Sequence, residues 1–130
     1  MKTLLARLCA NRFITCSPDS VLHLTWRHFT LHMMNMDLIQ VVKFLESIKE
    51  RGAPGFTHGD SCCTVNWRPN NQVELWLWGV GFVLEAEELG ELLLLGKTAV
   101  RHFKTVENDP IRLLMDAELP TYPEMVLSLN

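Results

Sequence analysis

The order of apolar and polar positions divides most of the chain into hairpins and helices. In "VLHLTWRHFTLHM", residues 21 to 33, the two alternate on both sides of Arg27-His28, which predicts a tight hairpin with Trp26 opposite Phe29, Leu24 opposite Leu31 and Leu22 opposite Met33. That register sets Thr25 beside Thr30 and His23 beside His32 on the other face. Arg-His is an imperfect turn, because such turns favour Asn or Gly at positive φ; His tolerates that region better than most residues. "NMDLIQVVKFLESIKERG" then changes to a helical period, with Leu38, Val41, Val42, Leu45 and Ile48 on one stripe. Asn35 or Asp37 would cap this helix and Gly52 stop it.

The glycines and proline of "GAPGFTHGD" predict a loop, after which "CCTVNW", "RPNN" and "VELWLW" read as strand, turn and strand. The pairing that best sorts apolar from polar sets Trp67 against Val73, Val65 against Leu75 and Cys63 against Leu77. Gly79-Val80 suits a further two-residue turn, which would place Leu77 opposite Phe82, Leu75 opposite Leu84, Trp76 opposite Val83 and Glu74 opposite Glu85. A second helix follows from about Glu87, acidic at its start and basic towards its end. Leu89, Leu92, Leu93, Gly96, Val100 and Phe103 form its stripe, which Leu94 and Leu95 widen. "MKTLLARLCANRFITC" reads as a short amphipathic start with Leu4, Leu5 and Leu8 on one side, and "NDPIRLLMDAEL" as a terminal helix capped by Asp109 with Pro110 at its first position.

These elements predict an α+β fold: a two-layer sandwich with an antiparallel sheet of about five strands and two main helices on one face. The expected organisation is a single domain over residues 1–130. A ββα unit at 20–52 is followed by a second ββ(β)α unit at 61–104 and by a C-terminal helix and tail at 109–130. Both units run strand, turn, strand, leucine-rich helix, which suggests an internal duplication.

The second hairpin breaks the rule that a sheet covered on one side presents polar residues on the other. Trp76, Trp78 and Val83 together make an apolar patch of the size, roughly a few hundred Å², at which a surface usually engages something. The C-terminal segment Tyr122 to Leu129 or the N-terminal "LLARL" could cover it. So could an identical subunit or a ligand, since tryptophan shelves also bind sugars, quaternary amines and extended peptides. The reading favoured is a small interaction module, homodimeric through this second face, with His23 and His32 contributing to the contact.

Composition narrows the alternatives. At 130 residues with formal charge −3, the chain has no basic footprint for nucleic acid. No segment is long and apolar enough to span a membrane, "LLLL" being bounded by Glu91 and Lys97. Cys9, Cys16, Cys62 and Cys63 show no C-x-x-C spacing and suggest reduced thiols in a cytoplasm. No cofactor is expected. The alternative is a divalent transition metal or a small ligand, with His23 and His32 as a facing pair and His58 as a third metal ligand. "THGDSCC" gathers His58, Asp60 and two cysteines, but adjacent cysteines on a strand point to opposite faces, so only one could join His58 at a centre. No catalytic activity is inferred: a cysteine near His58 with Asp60 is the sole nucleophile-base arrangement, and "GVG" is a turn with no following phosphate-binding helix.

Overall fold

The computed structural model describes residues 2–48, 52–60 and 62–108, with side chains through Lys104. The helix expected at Asp109 and the tail after it lie outside the described residues. The class is α+β, but in place of one sheet of about five strands there are two antiparallel sheets of four. β1 (Thr3–Cys9), β2 (Arg12–Cys16), β3 (Leu22–Trp26) and β4 (Phe29–Met33) form the first, each strand pairing with the next, and α1 (Asn35–Glu46) follows. β5 (Thr57–Gly59), β6 (Cys63–Arg68), β7 (Gln72–Leu77) and β8 (Val80–Glu85) form the second, followed by α2 (Ala86–Asn108). The chain divides into two compact units, one holding residues up to Ile39 and from Leu94 onward, the other Gln40–Leu93. None of the described helices is long and apolar enough to cross a membrane.

Three strands depart from the sequence reading, each for a local reason. β1 replaces the amphipathic start: its pairing with β2 shifts register between Leu4 and Ala6 and again between Arg7 and Cys9. Such bulges break the period of two, so neighbouring Leu5 and Ala6 are both buried and no alternation is visible. β2 supplies only one fully buried side chain, Ile14. β5 spans three residues inside the glycine-rich stretch and pairs Thr57 with Asn66, His58 with Val65 and Gly59 with Thr64.

The first hairpin and the β6–β7 pair have the predicted registers throughout. Positive φ falls on Arg27 at 60°, the first of the two turn residues, and not on His28. In the next hairpin the turn is Trp78-Gly79, with φ of 48° and 84°, not Gly79-Val80. Both residues are then left-handed, as a type I′ turn requires, with glycine second. The pairing moves accordingly: Leu77 faces Val80, Leu75 faces Phe82, Trp76 faces Gly81, Glu74 faces Val83 and Gln72 faces Glu85. The like-charged Glu74–Glu85 pair of the predicted register does not arise.

From β2 to α1 and from β6 to α2, corresponding pairs recur fifty-one positions apart. Arg12↔Trp26 matches Cys63↔Leu77, Cys16↔Leu22 matches Trp67↔Val73, and Leu22↔Met33 matches Val73↔Leu84. The Arg27 amide donates to the Asn11 carbonyl at 2.7 Å, as the Trp78 amide does to that of Cys62 at 2.8 Å. Each helix opens with the same device. The Asp37 carboxylate accepts the Met34 amide at 2.9 Å and the Glu88 carboxylate the Glu85 amide at 2.8 Å, each satisfying a donor that the first turn leaves without a partner. Acidic side chains there also complement the positive helix end.

On the closed faces the strands bury Ile14, Leu22, Leu24 and Trp26 in the first unit, and Val65, Val73, Leu75 and Leu77 in the second. On the helices, Leu38, Leu95, Ala99 and Phe103 of the first unit and Val41, Phe44, Leu45 and Leu92 of the second are buried. In the second unit Phe44 of α1 stacks on the His58 ring, centroids 5.6 Å apart, so α1 lies on the side of the sheet that carries Val65.

Candidate functional site

Burial of Val65, Leu75, Leu77 and Leu84 turns the alternate residues of the second sheet outward: Thr64, Asn66, Glu74, Trp76, Gly81 and Val83. Gly81 is what allows the arrangement around Trp76, since a Cβ added there would stand 2.7 Å from three indole carbons. The indole therefore lies across the backbone of the neighbouring strand. Its Nε1 donates to Glu74 Oε1 at 3.2 Å, a carboxylate that also accepts from Asn66 Nδ2 at 3.4 Å and pairs through Oε2 with Arg68 at 3.4 Å. The Trp76 hydrogen bond, then that of Asn66, holds the Glu74 carboxyl below its ordinary range.

Of the exposed large apolar side chains among the described residues, Met34, Met36 and Phe56 lie elsewhere and four lie on the β7–β8 hairpin: Trp76 is 40% exposed, Trp78 43%, Val80 45% and Val83 43%. Trp76 and Val83 share the open face, Trp78 occupies the turn, and Val80 opens β8 opposite Leu77, on the closed-face side. A bulky side chain at positive φ is strained, by roughly 1 kcal/mol or more, so Trp78 is not a residue the turn itself selects.

The first sheet shows what the same positions look like without this patch. Its open face carries Phe13, Thr15, His23, Thr25, Thr30 and His32. Thr25 and Thr30 share a hydrogen bond at 3.1 Å where the second sheet has Trp76 and Gly81. The predicted His23–His32 pair is present, with ring centroids 4.2 Å apart and planes at 51°. Desolvation, then the charges of Lys2 and His32, pushes the His23 imidazole below its ordinary pKa, against a smaller opposing effect of Asp19. Among the described residues no third His, Cys, Asp or Glu joins this pair in a set able to surround a metal ion.

His58, the third predicted ligand, belongs to the second unit and is committed to packing there. Besides its stack on Phe44 it bonds through Nε2 with Ser47 Oγ at 3.1 Å. The structure groups different residues from "THGDSCC". Cys62 precedes β6 and is not constrained by strand alternation, so its sulfur turns back to 3.5 Å from that of Cys63. Asp60 Oδ1 accepts the amides of Cys62 and Cys63, both at 2.9 Å, and these bonds hold the Asp60 carboxyl below its ordinary range. Burial pushes the Cys63 thiol up to about 12 and raises Cys62 as well, which leaves neither activated as a nucleophile.

A cavity of about 220 Å³ is lined by Gly52, Pro54, Trp67, Pro69, Asn71 and others. Asn71 Nδ2 donates to Glu87 Oε1 and the Asn71 main-chain carbonyl accepts the Ala86 amide, while the side-chain Oδ1 of Asn71 is buried with no hydrogen-bond partner. The sequence singles out Trp76, Trp78 and Val83, which the structure leaves partly exposed, and gives no sign of the Gly81 contact or of the Arg68–Glu74 pair. A turn at Trp78-Gly79 would have put Gly81 opposite Trp76 and shown the space the indole uses. Comparison with protein-family models, curated proteins and solved structures finds no match to this chain.

Proposed function

We propose that this chain is a small protein-interaction module that pairs with a second copy of itself through the open face of its second sheet. The observation that carries this reading is the exposure of Trp76 and Val83 on the open face, with Trp78 in the adjoining turn, each 40% or more exposed. Aromatic anchors ringed by polar groups are the usual composition of an interface centre, and burying two indoles contributes several kcal/mol at about 25 cal/mol per Å². The face also carries both signs of charge, since Arg68 and Glu74 lie beside the Trp76 indole. A twofold contact brings one patch against itself and needs this property.

The matched registers of the two sheets support the further proposal that the module arose by duplication of a sheet-helix unit and that the second sheet then became the docking half. Four free cysteines fit residence in a reducing cytoplasm. Catalysis has no part in this reading. Sedimentation equilibrium at tens of micromolar tests it: the expected species has twice the 14.9 kDa chain mass, and Trp76→Thr returns it to one chain. A wild-type protein that sediments as one chain at these concentrations would exclude the pairing. A second reading, metal or small-ligand binding at His23 and His32, draws on their 4.2 Å ring separation. A zinc or nickel affinity that His32→Thr leaves unchanged would remove its metal-binding form.

A further inference from the structure

The turn that enters β6 holds an arrangement that neither packing nor the proposed docking face explains. Asp60 Oδ1 closes the turn by accepting the amides of Cys62 and Cys63, and the Asp60 amide donates to the Cys63 carbonyl at 2.8 Å. Those bonds would form with any side chains at 62 and 63. Beyond them, the two sulfurs stand 3.5 Å apart, Gln40 Oε1 lies 3.8 Å from Cys62 Sγ, and both sulfurs and a carboxylate oxygen lie within 4.8 Å of one another.

We propose that Asp60, Cys62 and Cys63 form a binding site for one divalent cation of the zinc class. With zinc–sulfur bonds of about 2.3 Å, sulfurs at this separation subtend roughly 100° at the metal, close to the tetrahedral angle. The carboxylate supplies a third ligand of a type zinc accepts, and Gln40 borders the remaining position. A disulfide fits the same pair less well. Sulfur atoms would have to close to about 2.05 Å, and adjacent Cα atoms, about 3.8 Å apart, fall short of the usual disulfide span. The two sulfurs already stand at chelating separation, and the carboxylate oxygen lies within 4.8 Å of both.

Binding breaks both S–H bonds heterolytically: each sulfur keeps its electron pair and forms a bond to the metal, and two protons pass to water. Affinity therefore rises with pH. Burial of Cys63, which is 1% exposed, explains why the dithiol alone stays protonated and why the metal would enter from the half-buried Cys62 side. This proposal is independent of the docking face: Trp76→Thr leaves it unchanged.

The test uses the reduced full chain titrated with Co²⁺, whose thiolate charge-transfer bands count sulfur ligands and whose visible bands report tetrahedral geometry. One equivalent is expected to develop both, with about two protons released per metal, and Zn²⁺ to displace it stoichiometrically. Cys62→Ser should lower the charge-transfer intensity to about half and weaken binding at least about tenfold, and Asp60→Asn should weaken it by a similar factor. Cys9→Ser with Cys16→Ser should change neither quantity. Because Cys62 is not fully buried, its variant keeps the fold, which circular dichroism verifies. Absence of thiolate bands at millimolar Co²⁺, bands unaltered by Cys62→Ser, or bands that disappear with Cys9 and Cys16 would each overturn the assignment.

Discussion

Six register-matched positions on the open faces of the two sheets carry Phe13, Thr15, His23, Thr25, Thr30 and His32 in one, and Thr64, Asn66, Glu74, Trp76, Gly81 and Val83 in the other. The closed faces, by contrast, keep the same character: Leu22, Leu24 and Trp26 against Val73, Leu75 and Leu77, all fully buried. Side chains on the closed face are constrained by packing, where volume errors cost several kcal/mol, and those on the open face are not. The backbone scaffold is therefore common to both halves, and the open face is where they specialise. One half pairs small hydroxyls and imidazoles; the other lays an indole over a glycine.

The comparison is broken most severely at the closed faces. Leu24→Ala and Leu75→Ala remove matched, fully buried side chains, and each is expected to destabilise the fold by about 2–5 kcal/mol in urea unfolding. Costs that differ widely between the two would show that the matched registers do not imply matched packing. Next, giving the second sheet the hydroxyl pair of the first, Trp76→Thr with Gly81→Thr, should weaken self-association at least about 30-fold, the effect of losing a hot spot of roughly 2 kcal/mol. Folding stability measured at a concentration where the chain is monomeric should move less than about 1 kcal/mol.

Trp78→Asn separates turn from interface. Asn tolerates positive φ and makes Asn-Gly the favoured type I′ pair, so the monomer should gain about 0.5–1 kcal/mol while association weakens. A variant that loses stability would argue that Trp78 packs within its own chain. Smaller effects come from the titrating pair at matched positions 23 and 74. His23 has a lowered folded pKa, so the unfolded chain takes up its proton first: its contribution is complete above pH 6.5 and is lost as pH falls from there towards the folded value. Glu74, also lowered, keeps its contribution above pH 4.5 and loses it as pH falls through its folded value. Urea midpoints measured across pH should flatten near 6.5 in His23→Thr and below 4.5 in Glu74→Gln. The reverse assignment of windows would contradict the two environments. Arg68→Ala, which removes an exposed ion pair, should change stability by less than about 1 kcal/mol.

What was legible in the sequence follows from which forces act locally. The β3–β4 and β6–β7 registers could be read because one-residue slips would expose Leu24 or Leu75, so the alternation had a single good solution. The β7–β8 register could not, because Val80, Phe82 and Leu84 suit either of two alignments that differ by two residues and keep every side chain on its face. Turn chemistry decides between them, and Trp at positive φ argued against the alignment that forms. β1 was hidden by its bulges, and β5 by its three-residue length within a glycine-rich stretch, Gly59 being its last residue. The exposed residues of the β7–β8 hairpin were readable as an excess of apolar side chains. The Asp60–Cys62–Cys63 group was not, because its grouping depends on Cys62 lying just outside the strand, a boundary of one residue.

The register shifts in β1 have a consequence for how copies of this chain can meet. Among the described residues each sheet is an open meander with its first strand at one border. β1 is kinked twice and β5 is only three residues long, so neither border offers the straight run of amides on which another chain could be templated. Ribbon-like growth is thereby discouraged at these two borders.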